Sequence, residues 1–176
     1  MTFYVEFDED TEKEKEGLPF DIEDLFFRSA CESLDYTGCP YECEADLTLT
    51  GDEGIRDLNN RFRDRDVPTD VLSFPLLSFK TPGDFETVEE DFADCFNPET
   101  GELMLGSLVI NLDRARKQAE EFGHSLKRET AFLIVHSMLH LQGFDHIEEE
   151  DRVIMEEAQR VILKKLDITR EASFEE

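Results

Sequence analysis

The chain has 176 residues, enough for one domain with a substantial core, and 39% of them are hydrophobic, which excludes a wholly disordered polymer. No run of about 18 apolar residues occurs, so a transmembrane helix is excluded as well. Forty-four acids against eighteen Lys and Arg leave a net charge of -26, a balance that repels phosphate backbones and argues against generic nucleic-acid binding.

In chain order, Phe3, Val5 and Phe7 alternate with polar residues and predict a strand over 2–7, starting without the basic-then-apolar pattern of a signal peptide. A cytoplasmic protein is expected. The acidic stretch 8–16 reads as a solvated loop. Ile22, Leu25, Phe26, Ala30 and Leu34 recur at helical spacing from about Asp21. Tyr41, Cys43, Ala45, Leu47 and Leu49 alternate strictly, as in a half-buried strand. Cys31, Cys39, Cys43 and Cys95 form no Cys-x-x-Cys pair and are read as free thiols.

Ile55, Leu58 and Phe62 mark a second helix, ending in a cluster of Arg56, Arg61, Arg63 and Arg65 that reads as a solvated helix end. VLSFP (71–75) is a short strand stopped by its proline. Residues 76–102 break the rhythm with Pro82, Gly83, Pro98, Gly101 and many acids; a long insertion is expected, the most mobile internal segment and an acidic gate. A buried strand (103–110) follows, then a helix capped by Asn111 and stopped by Gly123. Residues 127–141 are apolar nearly all round and predict the central buried helix, and 148–166 an amphipathic one before a flexible tail at 167–176. Strands early and helices bunched late predict one α+β domain, about four strands in a mixed sheet covered by helices.

Three of the four histidines fall within HSMLHLQGFDH. His136 and His140 are four apart and share a helix face, and Gly143 lets the chain turn back so that His146 can join them. Three neutral imidazoles suit one Zn²⁺ at roughly 2.0–2.1 Å each and leave a fourth position open, as at a catalytic zinc. In metalloproteases of the H-E-x-x-H type a Glu after the first His is the general base; Ser137 stands there and cannot take a proton at neutral pH. Asp145 is a candidate either to orient an imidazole or to make an Asx turn. His124 has no partner nearby in sequence and is expected at the surface.

HSMLHLQGFDH resembles the H-G-x-L-H-L-x-G-Y-D-H signature of the YbeY family of ribosomal RNA maturation factors, with Ser137 for Gly and Phe144 for Tyr. NNRFRDRDVPTDVLSFP (59–75) is similar to a second block of that family, and LGSLVINLD (105–113) to a third, with Ser107 where the family has Asp. The resemblance, over roughly residues 41–166, implies a zincin-like, zinc-dependent hydrolase: a single-strand-specific endoribonuclease of rRNA maturation and ribosome quality control. It implies zinc ligands at His136, His140 and His146 and a catalytic arginine at Arg63, whose fork can grip a phosphate bidentately. The implied partners are single-stranded RNA, ribosomal RNA and ribosomal proteins, with no membrane and no DNA. The alternatives are an assembly factor with structural zinc and, disfavoured by Ser137, a zinc peptidase.

Overall fold

Phe3, Val5 and Phe7 of β1 (Thr2–Phe7) turn one face to the core while Tyr4 and Glu6 face water. β2 (Cys43–Thr50) repeats the alternation, burying Cys43, Ala45, Leu47 and Leu49. With β4 (Leu103–Asn111) they form three parallel strands, and β3 (Val71–Pro75) lies antiparallel on the outer edge of β4. The sheet is mixed, four-stranded and ordered β1-β2-β4-β3. The edge position of β3 is why it tolerates Pro75. The computed structural model describes residues 1–168; residues 169–176, most of the tail expected at 167–176, lie outside the described residues.

α1 (Ile22–Thr37) begins where the Asp21 carboxylate accepts the Asp24 N–H at 3.0 Å. It buries Leu25, Phe26, Ala30 and Leu34 against the sheet. α2 (Asp52–Arg63) covers part of the opposite face, where Ile55, Leu72 and Val109 form a small separate cluster. α4 (Leu112–Phe122) starts at Asn111, whose side chain accepts the Arg114 N–H and donates to Asp52 and to the Thr69 carbonyl. α5 (Leu126–Leu141) touches β3 and β4 on one side and α1, α4 and α6 (Glu149–Lys165) on the others. That enclosure is the reason its sequence is apolar nearly all round.

Three expectations change. The acidic stretch 8–16 is not simply solvated: Asp8 and the buried Thr11 tie to β2, Thr11 Oγ1 donating to the Leu49 carbonyl at 2.7 Å, and Glu12–Gly17 is a 3-10 turn. Residues 76–102 are docked as well as acidic. Leu77, Phe85 and Val88 are buried in the main core, and the segment contains a turn of helix, α3 (Val88–Asp91). Alternation and helical periodicity are both missing there because the apolar residues anchor an irregular path one at a time. His124 is the third correction. Its side chain is 5% exposed, with Nε2 2.6 Å from the equally buried Glu129 carboxylate, a partner brought close by the start of α5.

The four cysteines are free thiols, Cys39 and Cys43 lying 3.6 Å apart at sulfur. No helix among the described residues is long and apolar enough to cross a membrane.

Candidate metal centre

His136 and His140 occupy consecutive turns of α5, with His146 on the loop that leads to α6. One ligand atom from each of the three lies within 4.8 Å of the others. His136 Nε2 and His140 Nε2 are 3.0 Å apart. Two nitrogens on one tetrahedral zinc stand about 3.3 Å apart, so this pair already has the required spacing. The turn is made by Gly143, at φ 90°, where an added Cβ would fall 2.6 Å from Phe79 Cβ. Only glycine fits between Phe79 and that backbone conformation.

The outer nitrogens are held too. His140 Nδ1 lies 2.9 Å from the Phe144 carbonyl, which can only accept, so that ring carries its proton on Nδ1 and turns a bare Nε2 to the cluster. His136 Nδ1 lies 2.7 Å from the side-chain amide of the buried Gln159 on α6. A half-turn of that amide offers oxygen or nitrogen, so it can serve either tautomer of His136. Burial, reinforced by the neighbouring His140 and His146, lowers the His136 pKa to about 4. Burial lowers His140 as well, against the pull of the Phe144 carbonyl. Both rings are neutral at pH 7, the state in which imidazole binds metal. The donor set fits a metal ion.

The cluster forms one wall of a cleft of about 460 Å³, lined also by Arg63, Thr69, Asp70, Val71, Ser73 and Pro75. Arg63, in the last turn of α2, reaches the Ser73 carbonyl of β3 at a long 3.4 Å. Its charge helps hold down the His140 pKa. Ser73 Oγ meets the Oγ of the buried Ser137 at 3.0 Å and ties β3 to α5 beside His136. Of the arginine cluster, Arg56 grips Asp66 bidentately at 2.8 and 3.0 Å, and Arg63 lines the cleft.

Asp145 makes the Asx turn, accepting the Ile147 N–H at 3.2 Å, and the imidazole-orienting role belongs to the Phe144 carbonyl. Ser107 donates to Asp46 on the neighbouring strand at 3.0 Å. It shares the sheet face of Val109, toward α2 and away from the histidines. Sequence reasoning missed Gln159 and Asp70. Gln159 had a signal, a polar residue on the apolar stripe of Met155, Ala158 and Ile162; Asp70 had none outside the motif that contains it.

Fold and site define a small α+β domain with a three-histidine cluster, two of them borne on one helix, able to hold a metal. The family model described as Endoribonuclease YbeY matches residues 8–167. A Lachnoclostridium phytofermentans protein bearing that name is 52% identical over 172 residues, 97% of this chain and all of the relative. One from Agathobacter rectalis is 50% identical over 171 residues, with the same coverage. The solution structure of TM1509 from Thermotoga maritima superposes with a TM-score of 0.53 at 19% identity, covering 94% of this chain and 92% of that one, a likeness of fold. The chain belongs to the YbeY endoribonuclease family.

Proposed function

We propose that this protein is a zinc-dependent endoribonuclease that cuts single-stranded RNA in ribosomal RNA maturation and ribosome quality control. One Zn²⁺ per chain sits on His136, His140 and His146, and Arg63 is the catalytic residue. Ribosomal RNA and ribosomal proteins are its proposed partners, and the cytoplasm its site of action. The observation that carries the reading is the meeting of three imidazoles and one guanidinium in a single cleft.

When bound, zinc supplies Lewis-acid chemistry and a water of lowered pKa. The rest falls to the chain. Arg63, lining the same cleft as the imidazoles, presents two parallel N–H donors to a phosphodiester and offsets the charge that grows on its oxygens. Asp70 is the carboxylate of the cleft lining, placed to accept a proton beside the imidazoles. Its Oδ1 is steadied by the Val71 N–H at 2.8 Å. A zinc peptidase is disfavoured, since Ser137 is buried and bonded to Ser73 where such an enzyme carries its glutamate.

The test is cleavage of a single-stranded RNA by Arg63→Ala and Arg63→Lys, with zinc measured in the same preparations. Arg63→Ala should lower the rate by about 10²–10³, and Arg63→Lys by less, because it keeps charge and loses the fork. Zinc content and melting temperature should match wild type. His140→Ala should lose most of its zinc by elemental analysis, since two ligands hold the ion poorly. Wild-type rates in zinc-loaded Arg63→Ala would instead make Arg63 a solvated helix-end residue, and absence of cleavage by zinc-loaded wild type would indicate an assembly factor with structural zinc.

A further inference from the structure

A second cavity, of about 530 Å³, lies between α5 and α6 and shares His136 and His146 with the metal cleft. Substrate crossing the cluster from the Arg63 side therefore meets this groove next. Its floor is apolar, with Phe132, Met155 and Leu163 among the lining residues, and Arg128, Arg152 and Arg160 also line it. Three guanidiniums line the groove with one lining carboxylate, Glu156, a local concentration of cations in a chain with a net charge of -26. Phe132 is half-buried and lies nearly parallel to His136, at 26° with centroids 6.1 Å apart.

Arg128, Phe132 and His136 follow one another at four-residue intervals on one face of α5, steps of about 6 Å along the helix. A cationic site, a flat aromatic surface and the metal cluster thus lie in line. Guanidinium beside an aromatic face is the chemistry that receives a nucleotide, the ring taking the base and the cation the phosphate. Arg152 and Arg160 each hold a carboxylate one turn away, Glu149 and Glu157. Those pairs are exposed, so they are weak and readily exchanged for a phosphate.

We infer that the α5–α6 groove seats one unpaired nucleobase of the RNA, stacked on Phe132 next to the cleaved bond, with its flanking phosphates on the groove's arginines. The inference rests on the endoribonuclease reading for its substrate class. It gives that reading a physical source of strand preference. A base held in a duplex is paired and stacked and cannot enter a slot between two helices, whereas an unpaired one can.

The test uses a short fluorescein-labelled single-stranded RNA and versions of it carrying one abasic ribose at each position in turn. Binding is followed by anisotropy and cleavage by gel, for wild type, Phe132→Leu and Arg152→Gln/Arg160→Gln. Phe132→Leu keeps apolar volume and loses the aromatic face. It should weaken binding roughly 5- to 150-fold, the range of a lost base–aromatic stack. One abasic position beside the cut should cost wild type a similar factor and Phe132→Leu almost nothing, because the partner of that base is already gone. The double arginine variant should weaken binding and flatten its salt dependence.

Equal binding by all variants, or equal abasic penalties in wild type and Phe132→Leu, would overturn the groove assignment and leave the groove to an acidic peptide or another occupant. Cleavage that persists in that case keeps the endoribonuclease reading. Groove-dependent binding without any cleavage keeps the groove and removes the endoribonuclease.

Discussion

α5 and the segment 76–102 support the same site by opposite means. α5 is regular, enclosed on all sides, and presents His136 and His140 one turn apart by helical geometry alone. The segment is irregular and acidic, and it braces the turn that brings in His146. Phe79 packs on Gly143, and the Gly83 N–H donates to the Gln142 carbonyl at 2.8 Å. Gln142 itself accepts at Oε1 from Thr37 of α1 at 2.6 Å. Two of the three imidazoles are thus placed by secondary structure, and the third by tertiary contact with chain roughly sixty residues away.

That division can be broken at its anchor. Phe85→Ala removes a buried ring that packs edge-on against Phe79, with centroids 5.2 Å apart. If the segment is docked as described, urea unfolding should show a loss of about 3–5 kcal/mol. Metal affinity should fall with it, while amide exchange within α5 stays slow. A loss within about 0.5 kcal/mol, the range of a surface substitution, would mean that the segment is the mobile loop its composition suggests.

The turn offers a smaller and sharper probe. Gly143→Ala forces a side chain into a left-handed backbone and against Phe79. A cost of about 2–4 kcal/mol is expected from the two effects together. Adding Phe79→Gly, which removes the clashing Cβ, should relieve the steric part and leave the backbone part, so the double variant should lose less than the sum of the singles. Strict additivity would show that the two residues do not brace each other.

A third effect belongs to the imidazole cluster. His136 is held near pKa 4 by burial and by its neighbouring imidazoles, against about 6.5 in an unfolded chain. Between those values the unfolded state binds the proton and the folded state does not. The contribution is therefore complete above about pH 6.5 and is lost as pH falls toward 4. Thermal melts of metal-stripped protein should show that decline, with a shallower slope in His136→Gln. Equal slopes would assign the decline to carboxylates elsewhere.

Much of this architecture was legible in residue order. Periodicity located β1 to β4 and the five long helices, because alternation and helical spacing report which face meets the core. Asp21 and Asn111 mark helix starts through short-range hydrogen bonds that the chain makes with itself. The spacing of His136 and His140 likewise needs nothing beyond one turn of helix. Only the tertiary structure decided that 76–102 is docked, that His124 is buried on Glu129, that Gln159 meets His136 and that Arg63 lines one cleft with the histidines. In the docked segment single apolar residues meet a surface built by other elements, and they carry no period. Gln159 and Arg63 act across gaps of 23 residues and more, where packing chooses the partner and local spacing carries no record of the choice.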